Sequence, residues 1–113
     1  MSETSDPRAQ ELEVLLQTLW KNNYATILER LKTLRDVQKG LAIGPLDNQT
    51  RQNAEAAAHK LAGVLGTFGL PEGSKLASKV EVLLAQESSP GPESGAELEA
   101  WLDKLEALVA SKR

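Results

Sequence analysis

Apolar side chains recur at three- and four-residue steps along almost the whole chain, and that spacing admits little besides amphipathic helices. Five segments carry it. The first opens at Asp6-Pro7, a capping residue followed by a proline suited to the first helical position. It presents Leu12, Leu15, Leu16 and Leu19, and Asn22-Asn23 is expected to interrupt it. The second carries Tyr24, Ile27, Leu28, Leu31, Leu34 and Leu41, and Gly40, Gly44 and Pro45 close it. Asp47 is a fitting cap for the third, which runs through Ala54, Ala57, Ala58, Leu61, Leu65 and Phe68. Gly69 and Pro71 then form a stop and a restart. The fourth carries Leu76, Ala77, Val80, Leu83 and Leu84, and Ser88-Ser89-Pro90-Gly91-Pro92 reads as a loop. The fifth has Ser94 and Glu97 at capping-box spacing, then Leu98, Trp101, Leu102, Leu105 and Val109. No segment alternates as a half-buried strand does. The pattern predicts an all-α fold: an antiparallel four-helix bundle with an additional N-terminal helix covering one end or side.

Length and composition narrow the function. A chain of 113 residues suits one domain, here a flexible start over 1–5 and a single helical unit over 6–111. The net charge of −3 provides no basic surplus for a nucleic-acid backbone. Without cysteine there is no disulfide, no thiolate nucleophile and no thiolate metal site. The polar N-terminus does not resemble a signal peptide, and no apolar run approaches the ~20 residues of a membrane span. A cytoplasmic setting is expected, and the charged surface makes a monomer the default.

The third segment breaks its own design rules. On a wheel of about 100° per residue, Ala54, Ala57, Ala58, Leu61, Val64, Leu65 and Phe68 share the core face. His59, the only histidine of the chain, points the other way. Its neighbours on the outer face are Gln52, Glu55, Ala56, Ala62, Gly63, Gly66 and Thr67, and most of these are small. A glycine in a helix interior costs about 1 kcal/mol relative to alanine. Gly63 and Gly66 therefore weaken a helix that has no turn at those positions. A glycine one turn from an exposed histidine removes the side chain that would crowd the imidazole. A lone surface histidine is most often just a polar residue, and a small-residue face often packs another helix. Local rule-breaking of this kind nevertheless tends to mark functional sites.

The string His59-Lys60-Leu61-Ala62-Gly63, followed by Gly66 and Gly69, resembles the histidine-containing phosphotransfer (HPt) domain family. In that family the histidine is followed by a variable residue, an apolar residue, usually a lysine, and then glycine. Leu61, Gly63 and Gly69 match, and the helix with Leu76, Val80 and Leu83 fits the family's next helix. Ala62 stands where the family usually has lysine, which is thought to help neutralise the phosphoryl group. In architecture the resemblance extends from about Tyr24 to Val109, and in motif only from His59 to Gly69.

The resemblance implies a two-component phosphorelay, with His59 as phosphoacceptor between receiver-domain aspartates. Gly63 would give it clearance. Lys60, about 100° round the helix, could reach toward the phosphate, or a partner could supply the charge. Glu55, one turn before His59, could hydrogen-bond the other ring nitrogen. Gln52, Ala56, Ala62, Gly66 and Thr67 would form the docking surface. The implied partners are a response-regulator receiver domain and a hybrid histidine kinase. No cofactor or metal is expected on this chain, because Mg²⁺ belongs to the receiver. Phosphoryl transfer asks mainly for positioning and charge neutralisation, so a phosphoryl carrier without turnover of its own suffices.

Other readings fit less well. A histidine-kinase dimerisation domain would follow the histidine with an acidic residue and soon a proline, whereas Lys60 follows here and the next proline is Pro71. A metal-binding bundle would need more than one histidine and a Glu-x-x-His pair. A hydrolase would need a nucleophile in a recognisable motif with His59. The runner-up is a silent HPt-like scaffold, motivated by Ala62, that binds a receiver or kinase without transferring phosphate.

Overall fold

The computed structural model describes residues 7–86 and 92–112. Residues 1–5, the capping Asp6 and the loop residues Ser88–Gly91 lie outside them. Four helices follow in order: α1 (Pro7–Leu41), α2 (Asn48–Thr67), α3 (Pro71–Ala85) and α4 (Pro92–Lys112). Among the described residues α1 touches α2 and α4, and α3 touches the same two, so the helices form a square with no diagonal contact. This is the all-α bundle that the periodicity predicts.

The connections follow the punctuation. Asp47 caps α2, its carboxylate accepting from the Thr50 backbone N–H at 2.7 Å and from the Thr50 hydroxyl at 3.0 Å. Those bonds, the backbone one first, hold its carboxyl below the usual carboxylate range. At the other end of α2, Gly69 adopts φ +78°, the left-handed conformation that glycine tolerates best. Leu70 N–H returns to Leu65 O at 2.9 Å and Gly69 N–H to Gly66 O at 3.2 Å. That pair of bonds is a Schellman ending, and Pro71 starts α3 immediately after it. Helix α4 begins at Pro92, so Ser94 lies inside its first turn rather than at the cap.

One expectation fails. The first two segments are a single 35-residue helix, and Asn22-Asn23 does not divide it. Asn23 Nδ2 donates to Leu19 O of its own helix at 2.7 Å, so the side chain stays within the helical pattern. Asparagine is only about 0.7 kcal/mol poorer than alanine in a helix, too little to break one flanked by good formers. The N-terminal part therefore covers no end or side of the bundle. Every residue from Pro7 to Leu19 is exposed, and the molecule measures 59 × 21 × 20 Å.

The core begins at Trp20. Ile27, Leu31 and Leu34 of α1 pack with Ala54, Ala58, Leu61 and Leu65 of α2. Leu76, Ala77, Val80 and Leu84 of α3 and Leu98, Leu102, Leu105 and Val109 of α4 complete it. Leu28, predicted on the core face, is 44% exposed, and Ala57 and Val64 lie at the core margin. Three of the four aromatic residues close one end. The Trp20 ring meets Phe68 edge-on at 5.3 Å and Tyr24 at 5.9 Å, with Lys112 5.6 Å from its centroid. Across the α1–α4 seam, Arg35 reaches Asp103 at 2.8 Å and Glu106 at 2.7 Å.

Candidate functional site

Helices α2 and α3 approach each other through small residues. A Cβ on Gly73 would lie 3.2 Å from Leu65 Cδ1, and one on Gly66 would lie 3.4 Å from Ser74 Oγ. Ser74 Oγ donates to Ala62 O at 2.8 Å. Near the far end of the pair, Arg51 donates to Leu84 O at 2.8 Å. Residues roughly equidistant from the Gly69 turn thus face one another, as the short connection between antiparallel helices requires. This register brings His59 of α2 beside Glu81 of α3.

His59 stands on the outer face of α2 with its side chain 73% exposed. Its Nδ1 lies 3.0 Å from Glu81 Oε2. An ionised carboxylate has only acceptors, so Nδ1 carries the proton and donates. In the neutral ring Nε2 then keeps its lone pair. The ring is held from a neighbouring helix.

A shallow depression of about 320 Å³ surrounds the ring, lined by Gln52, Glu55, Ala56, His59, Lys60 and Glu81. Lys60 shares it despite its angular offset. Glu55 lines the same depression, but its carboxylate sits 3.6 Å from Arg51 Nη1, and it is Glu81 that meets the imidazole. Gly63 is exposed, and an added Cβ there would meet nothing within 4 Å, so no packing contact accounts for this glycine. Gly66 is different, because it admits Ser74. Thr67 Oγ1 donates to Gly63 O at 3.0 Å, which commits the hydroxyl to its own helix. Ala62 is half-buried at the α2–α3 edge, where its carbonyl takes the Ser74 bond.

Glu81 was missed by the sequence reading, which sought partners for His59 on the same helix. A signal existed. Glu81 borders the α3 apolar stripe on the edge that also carries Ser74, and counting outward from Gly69 places it near His59.

Among the described residues no group of three or more His, Cys, Asp or Glu side chains is placed to hold a metal ion. None of the described helices is long and apolar enough to cross a membrane.

A small helical bundle with one accessible, oriented histidine in mid-helix has the form of a histidine phosphotransfer module. The chain belongs to the Hpt domain family, whose model matches residues 10–111. Members of that family carry phosphoryl groups on histidine in phosphorelays, working with receiver domains and kinases, and are carriers rather than enzymes. The chain is 34% identical over 80 residues to Protein RcaC of Microchaete diplosiphon. That match covers 71% of this chain and 12% of the relative's length. No solved structure gives a significant match.

Proposed function

We propose that His59 is the phosphoacceptor and that this chain passes phosphoryl groups to and from receiver-domain aspartates. The observation that carries the proposal is the exposed ring held at Nδ1 by Glu81 at 3.0 Å. In the forward step the Nε2 lone pair attacks the phosphorus of an aspartyl phosphate in line. The N–P bond forms as the P–O bond to the aspartate breaks, and the carboxylate leaves. The Nδ1 proton stays on the ring, balanced by Glu81, so no external base is needed. The return step reverses these changes on a second receiver.

The receiver supplies the aspartate, Mg²⁺ and further positive charge, and this chain has no turnover of its own. With Ala62 in place of the family's lysine, Lys60 is the only cation among the described residues lining the depression. The partner therefore carries more of the charge neutralisation. Gln52, Ala56, Ala62, Gly66 and Thr67 belong to the docking surface, and Gly63 keeps the approach to the ring open. The family's kinase partner would here be a hybrid histidine kinase that supplies the relay.

The test is to mix the purified chain with phosphorylated receiver domains and follow the phosphate. Acid-labile phosphate should appear on the wild type and be absent from His59→Gln. Binding without transfer on the wild type would instead support the silent scaffold that Ala62 suggests.

A further inference from the structure

Arg51 stands where a helix least favours a cation. It lies in the first turn of α2, at the positive end of the helix dipole. Its carboxylate partner Glu55 follows four residues later, and basic before acidic is the weaker order for such a pair. The stability of α2 on its own therefore does not account for it. Yet the guanidinium is firmly placed. Nη1 donates to Leu84 O of α3 at 2.8 Å, Nη2 donates to Asn48 Oδ1 at 2.7 Å, and the side chain is only 16% exposed.

What this fixed charge faces is the depression around His59. Among the described residues that line it, two carboxylates, Glu55 and Glu81, stand against one ammonium, Lys60. The Nδ1 proton of His59 answers Glu81. Glu55 is the carboxylate left over, and a phosphoryl group arrives there with close to two negative charges of its own. Glu55 also lies one turn before His59, with about 5–6 Å between Cβ atoms at that spacing, so an unrestrained carboxylate there could swing onto the ring. We propose that Arg51 is a positioning residue for phosphoryl transfer, an inference that rests on His59 being the phosphoacceptor. It holds the Glu55 carboxylate 3.6 Å from Nη1, which keeps that group off the imidazole and offsets its charge against the incoming anion. The site without a lysine at position 62 thus gains a second cation from behind the lining rather than within it.

Two reagents test this at one ring, because the chain has a single histidine. Phosphoramidate is an anionic phosphoryl donor, and ammonia leaves as the N–P bond forms. Diethyl pyrocarbonate is uncharged and acylates neutral imidazole, as the ring is at about pH 8. Arg51→Gln removes the charge and keeps an amide donor for Leu84 O. It should slow phosphorylation about fivefold at low salt and leave acylation unchanged. Adding Glu55→Gln should bring phosphorylation back to within about twofold of wild type. Arg51→Lys, which keeps the charge without the two-point anchor, should also stay within about twofold. A loss that Glu55→Gln does not relieve, or one that slows both reagents alike, overturns the proposal and makes Arg51 a clamp between α2 and α3 only. So does Glu55→Gln that speeds wild type as much as it speeds Arg51→Gln, since Arg51 would then not act through Glu55. If Arg51→Gln does not fold, Arg51→Lys decides, and a fivefold loss there overturns the proposal. A wild type that is acylated but takes no phosphate overturns the phosphoacceptor reading itself, and this inference falls with it.

Discussion

The α2–α3 hairpin and the N-terminal arm of α1 are both helical and leucine-bearing, yet they differ in what their residues answer to. In the hairpin nearly every distinctive residue has a counterpart across the pair: Leu65 and Gly73, Ala62 and Ser74, His59 and Glu81. In the arm Leu12, Leu15, Leu16 and Leu19 remain between 36% and 56% exposed. Apolar periodicity reports that a face wants cover. It does not report which molecule provides it.

Matched leucine truncations should break this comparison most visibly. Leu61 is fully buried, so Leu61→Ala should cost about 2–5 kcal/mol of unfolding free energy. Leu15→Ala, measured by urea unfolding at low protein concentration, should cost about 0.5 kcal/mol or less. Similar costs at both sites would mean that the arm is part of the core.

A smaller effect is expected at the ring. Glu81→Ala removes the acceptor for Nδ1 and should slow receiver-to-His59 transfer roughly tenfold, equivalent to about 1.4 kcal/mol. Glu81→Gln keeps an acceptor oxygen and should recover most of the rate. Melting temperatures should barely move in either variant, which separates positioning of the ring from folding. Equal rates in all three proteins would remove Glu81 from the mechanism.

Smaller still is the effect at Gly63. A Cβ there meets nothing, so Gly63→Ala should stabilise the protein by about 0.5–1 kcal/mol through helix propensity. The same methyl narrows the approach to His59, so transfer should fall while stability rises. A variant that is more stable and equally active would show that the open face is not needed for docking.

The smallest effect is a pH dependence at the hairpin's entrance. Hydrogen bonds depress the Asp47 carboxyl below its ordinary value of 3.8, so its stabilisation is fully present above that pH. It fades as pH falls through the depressed value. Wild type should therefore be more stable than Asp47→Ala near neutrality, and the gap should close in acid. A gap independent of pH would mean that the cap acts through its shape rather than its charge.

These two regions also show how far the sequence could be read. Helices, core stripes, the Asp47 cap and the Gly69-Pro71 turn were legible because each follows from local chemistry. Asn22-Asn23 misled, because a weak local preference was given the force of a break while the flanking residues favoured helix. His59 was legible as an outward residue on a bare face. Glu81 was not, because its role depends on the register between two helices and on counting outward from Gly69. The exposed arm was not legible either, since a wheel shows which way leucines point and not where the bundle ends.

The Schellman turn at Gly69 has a consequence for the order of assembly. It joins two helices that are adjacent in sequence, so closing α2 onto α3 costs little chain entropy. The Arg35 contacts to Asp103 and Glu106 span 68 and 71 residues by comparison. Local pairings of this kind tend to form early in folding, and distant ones late. The imidazole and its carboxylate would thus find each other in the nascent hairpin, before the first and last helices close the square around it.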